Sequence, residues 1–167
     1  MTSKLKTDVL ETVSGSGTIA LTNQLSGMTS ASVPAGSVVQ VVGFNSVASW
    51  STTSGTYAST HLTQNITPLY ANSKILVQIF GSVYFNAVAE HGNGQIRKDG
   101  NTITGYTDND VLQYFGGSTA RASLQSSFVI TTAGSTNTAT YAYYISVTGG
   151  TLEIYKNSGI LITEIKQ

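Results

Sequence analysis

Short apolar segments separated by turn clusters follow one another from Ser37 onward, and their spacing limits the possible folds more than any single motif does. The first segment, residues 38–44, is rich in β-branched residues, which favour a pleated, half-buried surface. No stretch keeps a helical period, and only two prolines occur. The pattern therefore predicts an all-β sandwich or barrel, with further strands at residues 56–66, 74–86, 95–98, 102–106, 122–132, 138–148, 151–156 and 159–166.

The first 36 residues have a different texture from the rest of the chain. Short strand-like pieces alternate there with Ser/Gly spacers and end on a turn signal, Val33-Pro34-Ala35-Gly36. The 167 residues suffice for one domain with a substantial core and are too few for two comfortable ones. We predict an N-terminal arm at residues 1–36 and one β-sandwich domain at residues 37–167.

The chain is poor in charge. Charged residues make up 10% of it, against about a quarter in an average globular protein. Eight Lys and Arg balance eight Asp and Glu, so no net field attracts nucleic acid or an anionic membrane surface. The absence of cysteine excludes disulfides and thiolate metal sites. The most apolar stretch, residues 75–88, is shorter than the ~20 residues of a spanning helix. We expect no nucleic-acid partner and no membrane insertion.

Two turn sequences predict hairpins. Lys98-Asp99-Gly100-Asn101 contains the Asp-Gly pair that suits a tight turn, because both central residues of that turn need positive φ. Lys156-Asn157-Ser158-Gly159 has a similar composition and is expected to reverse the strand before it into the strand after it.

The predicted strand at residues 140–147 is apolar or aromatic on both faces. Tyr144 lies on one face, and the other holds Tyr141, Tyr143, Ile145 and Val147. A half-exposed aromatic strand in a charge-poor domain indicates a subunit interface. The alternative is an ordinary sandwich strand with exposed tyrosines.

A glycine pattern near the N-terminus resembles a nucleotide-binding loop. The sequence "SGSGTIALTN", residues 14–23, fits G-x-G-x-x-A. Such a loop needs a following helix to hold the phosphates and an acidic residue about twenty positions later. The next residues do not favour a helix, and no Asp or Glu occurs between Glu11 and Glu90. We therefore expect no bound cofactor.

Candidate catalytic and metal-binding residues are few. His61 lies in a strand-like stretch, where an exposed or hydrogen-bonded imidazole is expected, and His91 lies in the glycine-rich stretch "EHGNG", where a turn is expected. Asp108 and Asp110 would share one face of an extended segment, as calcium ligands or as the carboxylate pair of a glycosidase would. The glycine and terminal glutamate of a calcium loop are missing, and a metal site ordinarily needs three or four donors. We expect no catalytic site and no metal site.

The segment "WSTTSGTY", residues 50–57, places two aromatic residues in a predicted polar loop. Exposed aromatic side chains can stack on sugar rings or form the centre of a binding surface. The alternative is that Trp50 packs beneath its own loop.

Five segments, in this order, carry a family resemblance: "SKLKTDVLETVSGSGTIALTNQLSGM", "VPAGSVVQVV", "ITPLYANSKILVQI", "IRKDGNTITG" and "ILITEIKQ". The chain resembles a family of small virion structural proteins of tailed bacteriophages, best known from marine cyanophages and commonly labelled tail-fibre-like. The resemblance covers essentially the whole chain and depends on the order and spacing of the segments, since each motif alone is unspecific.

The resemblance implies a jelly-roll-like antiparallel β-sandwich with an extended N-terminal arm, forming a homotrimer on the virion surface without enzymatic activity. "SGSGTIALTN" is then the spacer and short strand of the arm, which docks on another virion protein or subunit through Leu5, Val9, Leu10, Ile19 and Leu21. Distal loops bearing Trp50, Tyr57 and Tyr114 would contact a host-surface polysaccharide or protein. The alternatives are a capsid decoration or knob protein anchored by the arm and, more remotely, a polysaccharide-degrading enzyme.

Overall fold

The structure is a computed structural model and describes residues 33–86, 91–103, 110–112, 120–131 and 135–167. In these ranges the chain forms eleven β-strands and no helix. The strands are β1 (Val38–Asn45), β2 (Trp50–Thr52), β3 (Ala58–Ile66), β4 (Lys74–Asn86), β5 (His91–Lys98), β6 (Asn101–Thr102), β7 (Asp110–Leu112), β8 (Ala120–Thr131), β9 (Ala139–Thr148), β10 (Thr151–Ile154) and β11 (Gly159–Ile165).

Three pairs of strands lie end to end, so that the eleven strands form eight continuous lines. β10 and β11 both pair with one edge of β4, while β2 pairs with β10 and β1 with β11. β6 and β7 both pair with the edge of β5 that β9 does not occupy. Sheet A has the lateral order β1/β2, β10/β11, β4, β8, and sheet B has the order β3, β9, β5, β6/β7.

The two sheets share one hydrophobic core. Every strand pair is antiparallel, and buried side chains from both sheets form a single cluster. The predicted all-β antiparallel sandwich is confirmed. Residues 35–167 form one compact unit.

β4 shows the alternation that a strand with one buried face requires. Its core-facing residues are at most 2% exposed: Ile75, Val77, Ile79, Val83 and Phe85. The residues between them are half-buried or exposed. Removing such side chains from water is the main favourable contribution to folding.

The aromatic face of β9 belongs to the core rather than to a subunit interface. Tyr141, Tyr143 and Ile145 are 0% exposed, and Val147 is 1% exposed. Large tyrosine rings are buried here because they fill the space between the sheets. The other side of this strand carries Tyr144, which is half-buried, and a subunit interface there stays a prediction.

Two glycines in β5 make room for these rings. The expectation that His91 begins a turn is wrong, because it is the first residue of β5 and the glycines that follow lie within the strand. A Cβ atom at Gly92 would lie 2.8 Å from the Phe85 ring, and one at Gly94 would overlap the Tyr143 hydroxyl. The glycines therefore serve packing between the sheets.

The predicted hairpin at Asp99-Gly100 is present. β5 pairs with β6 across this two-residue loop, and both loop residues have positive φ, 51° and 77°. The Asp99 carboxylate accepts the N–H of Thr140 at 2.8 Å, and the Asp99 N–H donates to the Thr140 carbonyl at 2.7 Å. The hairpin is thus fastened to the start of β9.

The second predicted hairpin is wrong. β10 and β11 both run antiparallel to β4, so the chain keeps its direction through residues 155–158. Asn157 adopts φ 68°, a value that is common in turns. Here it lies in a short irregular segment that separates β10 from β11 without reversing the chain.

Two neighbouring lines of sheet A, β1/β2 and β10/β11, are interrupted at the same level, and β4 continues past them as one strand. The Asn157 N–H donates to the Ser46 carbonyl at 2.7 Å, and the Ser46 N–H donates to the Ser158 carbonyl at 2.9 Å. Next to them in β4, Gly81 has φ 140°, and a Cβ atom there would overlap Ser158. The Ser82 N–H donates to the Ser158 hydroxyl at 3.3 Å. We call this region the kink level (residues 46–49, 81–82 and 155–158).

A buried carboxylate organises the connection between β3 and β4. Glu164 is 0% exposed and accepts hydrogen bonds from the Leu69 and Tyr70 N–H groups, the Ser73 hydroxyl and the Gln40 amide at 2.5 to 3.0 Å. Burial raises the pKa of this carboxyl, but the hydrogen bonds outweigh burial and hold the pKa below its ordinary value. The ionised form is therefore the one that the fold stabilises.

Only the last four residues of the predicted arm are described. Ala35 and Gly36 form a turn, as predicted, and the Gly36 N–H donates to the Lys166 carbonyl at 2.7 Å. The assembly candidates Leu5, Val9, Leu10, Ile19 and Leu21 lie outside the described residues. In the portion described, no helix has the length and apolarity to cross a membrane.

Replacing Gly94 with alanine should destabilise the domain. The added methyl group would be forced against Tyr143, and overpacking of this kind typically costs about 1–3 kcal/mol. The matched control is Gly55→Ala, because a Cβ atom there lies 4.0 Å from its nearest neighbour, the Val147 carbonyl. Urea unfolding should show a change of less than about 0.5 kcal/mol for the control. Equal stability of the two variants would contradict the packing role of Gly94.

Replacing Glu164 with glutamine should cost about 1–3 kcal/mol at neutral pH, since an amide nitrogen cannot accept the N–H donors of the 69–73 segment. A lowered native pKa means that the unfolded chain binds the proton more tightly. The stabilisation is therefore complete above the ordinary value of 4.5 and is lost as the pH falls through the native pKa.

Urea unfolding at pH 7 and near pH 3 should show the free energies of wild type and Glu164→Gln converging in acid. Glu153→Gln, a half-buried site on the outside of sheet A, is the control and should change stability at pH 7 by less than about 0.5 kcal/mol. A constant difference between wild type and Glu164→Gln at both pH values would contradict the assigned role of the carboxylate.

Candidate functional site

The outer face of sheet B is rich in hydroxyl and amide groups. Because Tyr141, Tyr143 and Ile145 of β9 face the core, the intervening residues of β9 and their cross-strand partners face outward. The register aligns Tyr144 with Gln95 and Ser59, and it aligns Ala142 with Arg97 and Thr63. The polar side chains of this face are Ser59, Thr63, Asn93, Gln95, Thr102 and Ser146.

At the centre of this face, an arginine lies against two tyrosine rings. The guanidinium carbon of Arg97 is 4.5 Å from the ring centroid of Tyr144 and 5.4 Å from that of Tyr57. Both distances are within the range of favourable cation–π contact. We call these three residues the tyrosine–arginine platform. Its members come from β5, from β9 and from the segment before β3.

Two further contacts position the platform. The Nε–H of Arg97 donates to the Gln95 side-chain oxygen at 2.8 Å, which fixes the plane of the guanidinium. The Val147 N–H donates to the Ser54 carbonyl at 2.8 Å, which holds the segment before Tyr57 alongside β9. The platform is therefore supported by the backbone of the sheet rather than by a free loop.

Arg97 has no acidic partner in the part of the chain that the structure describes. A guanidinium carries five N–H donors, and the Nε–H is the one that finds an acceptor among these residues. Asp99, just after the end of the same strand, directs its carboxylate to the Thr140 N–H.

Burial, followed by the charge of Asp99, raises the pKa of the core residue Tyr141 to about 12, so that its phenol stays neutral.

A second arginine–tyrosine group lies on the outer face of sheet A. The Arg121 guanidinium carbon is 4.7 Å from the Tyr155 ring centroid and 6.0 Å from that of Tyr84. Its Nη2 donates to the Tyr155 hydroxyl at 3.1 Å. Arg97 and Arg121 are the two arginines of the sequence. Glu153 pairs with Tyr84 across the strands, so a carboxylate lies on the same face as Arg121 and its tyrosines.

The three predicted host-contact residues, Trp50, Tyr57 and Tyr114, do not come together in one described site. Tyr57 belongs to the platform. Trp50 is not in a loop: it begins β2, pairs with Ile154 and packs against the core, so the predicted loop position is wrong. Tyr114 lies outside the described residues. Of the three residues, Tyr57 is the one that lies beside Arg97 on the outer face of sheet B, and its contact with a host surface stays a prediction.

The remaining candidates do not form a reactive group in the described ranges. His61 was expected to be exposed or hydrogen-bonded, but both ring nitrogens are buried without a partner among the described residues, and that expectation is wrong. Burial lowers the pKa of His61, which favours the neutral ring. Asp108 lies outside the described residues, and of His91 and Asp110 only the backbone is described. Across the described portion, no three His, Cys, Asp or Glu residues cluster as metal ligands.

Sequence reasoning missed Arg97 and Tyr144 as members of a site. Tyr144 was recognised as pointing away from the other tyrosines of its strand, which is correct. One signal was present: Arg97 lies in a predicted strand, directly before the Lys98-Asp99 start of the predicted hairpin. What the sequence lacks is the register of β9 against β5, and this register brings the two side chains together.

No family model matches this chain, and no curated protein is significantly similar in sequence.

Proposed function

We propose that this chain is a non-enzymatic structural protein of a tailed-bacteriophage virion, displayed on the particle surface as a tail-fibre or fibre-tip-like appendage that contacts the host. The contact function is carried by one observation, the tyrosine–arginine platform on the outer face of sheet B. Tyrosine and arginine are the residues most enriched in binding hot spots, together with tryptophan. The virion assignment is carried by the ordered resemblance of the sequence segments.

We also propose that the sandwich is a jelly roll. Counted in chain order, the eight lines are arranged 1-8-3-6 in sheet A and 2-7-4-5 in sheet B. Apart from lines 4 and 5, which the Asp99-Gly100 hairpin joins, neighbouring lines are distant in sequence, as two combined Greek keys require. A closed sandwich of this kind gives an appendage a rigid support for outward-facing side chains.

The proposed assembly is a homotrimer. Val38 and Val41 lie on the outer side of β1, which is the edge strand of sheet A, and they are 58% and 52% exposed. Apolar residues at a sheet edge promote association with another chain. A second copy of the protein is the proposed partner of this edge, and the N-terminal arm is the proposed link to other virion proteins.

Immunogold electron microscopy of intact particles, with an antibody against the purified protein, tests the virion assignment. Gold confined to the tail is expected. Gold over the head would replace the fibre assignment with that of a capsid decoration protein, and particles without gold would overturn the virion proposal. Purified protein added in excess should reduce phage adsorption to host cells if the domain contacts the host.

Light scattering coupled to size-exclusion chromatography tests the assembly. Wild type is expected to elute with three times the mass of one chain, and Val41→Lys should elute as a monomer, because a charge at the apolar edge opposes association. A monomeric wild type at micromolar concentration would contradict the trimer. A trimeric Val41→Lys would exclude β1 from the interface.

A further inference from the structure

We infer that the tyrosine–arginine platform binds an acidic polysaccharide through a carboxylate or sulfate group seated on Arg97. This inference rests on the proposed function, because it assigns a ligand class to the same contact surface. It combines three properties of the platform as far as the chain is described: Nη groups of Arg97 without an acceptor, uncharged polar neighbours, and no carboxylate paired with Arg97 among the described residues.

The donors belong to the guanidinium of Arg97, which neighbouring side chains hold in place while only part of its N–H groups have acceptors among the described residues. The Tyr57 and Tyr144 rings lie against it, and Gln95 accepts from Nε. The two Nη groups of Arg97 have no acceptor among the described residues. Their fork geometry matches the two oxygens of a carboxylate or sulfate group. Because the guanidinium is already held in one orientation, little conformational entropy is lost when it binds an anion. More of the interaction free energy therefore contributes to affinity.

The surround suits the uncharged part of a sugar polymer. Thr63 and Thr102 lie at the two ends of the cross-strand row that contains Ala142 and Arg97, and Ser59 lies in the next row, beside Tyr144. Hydroxyl groups of this kind exchange hydrogen bonds with sugar hydroxyls. The half-buried tyrosine rings offer apolar surface for the C–H groups of a pyranose ring. A polysaccharide with one acidic group per repeat therefore matches this face better than a free inorganic anion does.

The second arginine group provides an internal comparison. Arg121 also lies against two tyrosines, but one of its donors is used by the Tyr155 hydroxyl, and Glu153 lies on the same face. A nearby carboxylate repels an incoming anion. Both arginines of the chain thus lie against two tyrosine rings, but a carboxylate lies on the same face as Arg121. We therefore assign the ligand to Arg97.

The experiment measures binding of the purified full chain to alginate as a carboxylated polymer, to dextran sulfate as a sulfated polymer and to dextran as a neutral control, by titration calorimetry. Wild type is expected to bind one or both acidic polymers, more weakly as salt increases, and to ignore dextran. Arg97→Gln should weaken binding about tenfold or more. Arg97→Lys should have an intermediate effect, because it keeps the charge and loses the fork.

Arg121→Gln is the matched control and should bind within about twofold of wild type. Unfolding midpoints of all variants establish that each is folded, and Arg97→Lys serves if Arg97→Gln does not fold. Equal losses in Arg97→Gln and Arg121→Gln, binding to dextran as strong as to the acidic polymers, or no binding to either acidic polymer would overturn the inference. Each of these results leaves the virion assignment standing, since that assignment depends on the location of the protein on the particle.

Discussion

The hydrogen bonds at the kink level fix how the first and last lines of the sandwich lie against each other. Ser46 exchanges backbone hydrogen bonds with Asn157 and Ser158, and the Ser158 hydroxyl reaches the neighbouring line at Ser82. Because a register shift of one residue would move every side chain to the opposite face, these contacts determine which residues of β1 and β11 enter the core. Gly81 accommodates Ser158 beneath them.

In the part of the chain that the structure describes, several charged side chains are held by hydrogen bonds or by aromatic rings. The ionised carboxylate of Glu164 is stabilised by hydrogen-bond donors. Arg97, Arg121 and Lys166 each lie against a tyrosine ring. Cation–π contacts weaken less on exposure than surface ion pairs do, and they keep long side chains flat against a sheet. The outer faces of the sandwich are thus ordered without a dense network of opposite charges.

Strand positions were predictable because they depend on local pattern. The alternation in residues 74–86 matches β4 end to end, and the Asp-Gly pair predicts its hairpin from the φ values that it needs. The sequence around Asn157 was misleading for a physical reason. A residue with positive φ serves equally in a reversal and in an interruption, and only the neighbouring strand decides between them.

The site was less predictable than the fold. Tyr57 was identified as an exposed aromatic residue, but its partners lie 40 and 87 positions further along the chain, as the numbers of Arg97 and Tyr144 show. Their proximity depends on strand pairing between distant segments. The glycines after His91 were similarly ambiguous, because a glycine that forms a turn and one that makes room for Tyr143 look alike in the sequence.

The interior position of β11 has a consequence for synthesis of the protein. Residues 159–165 are inserted between β1 and β4, which end 114 and 73 positions before Gly159 and have no direct pairing with each other. Sheet A therefore cannot assemble progressively as the chain leaves the ribosome, and its early strands must wait with open edges until this segment emerges. Delayed closure of this type gives slow folding and a period of exposure to aggregation, during which chaperones or a neighbouring chain can engage the waiting edges.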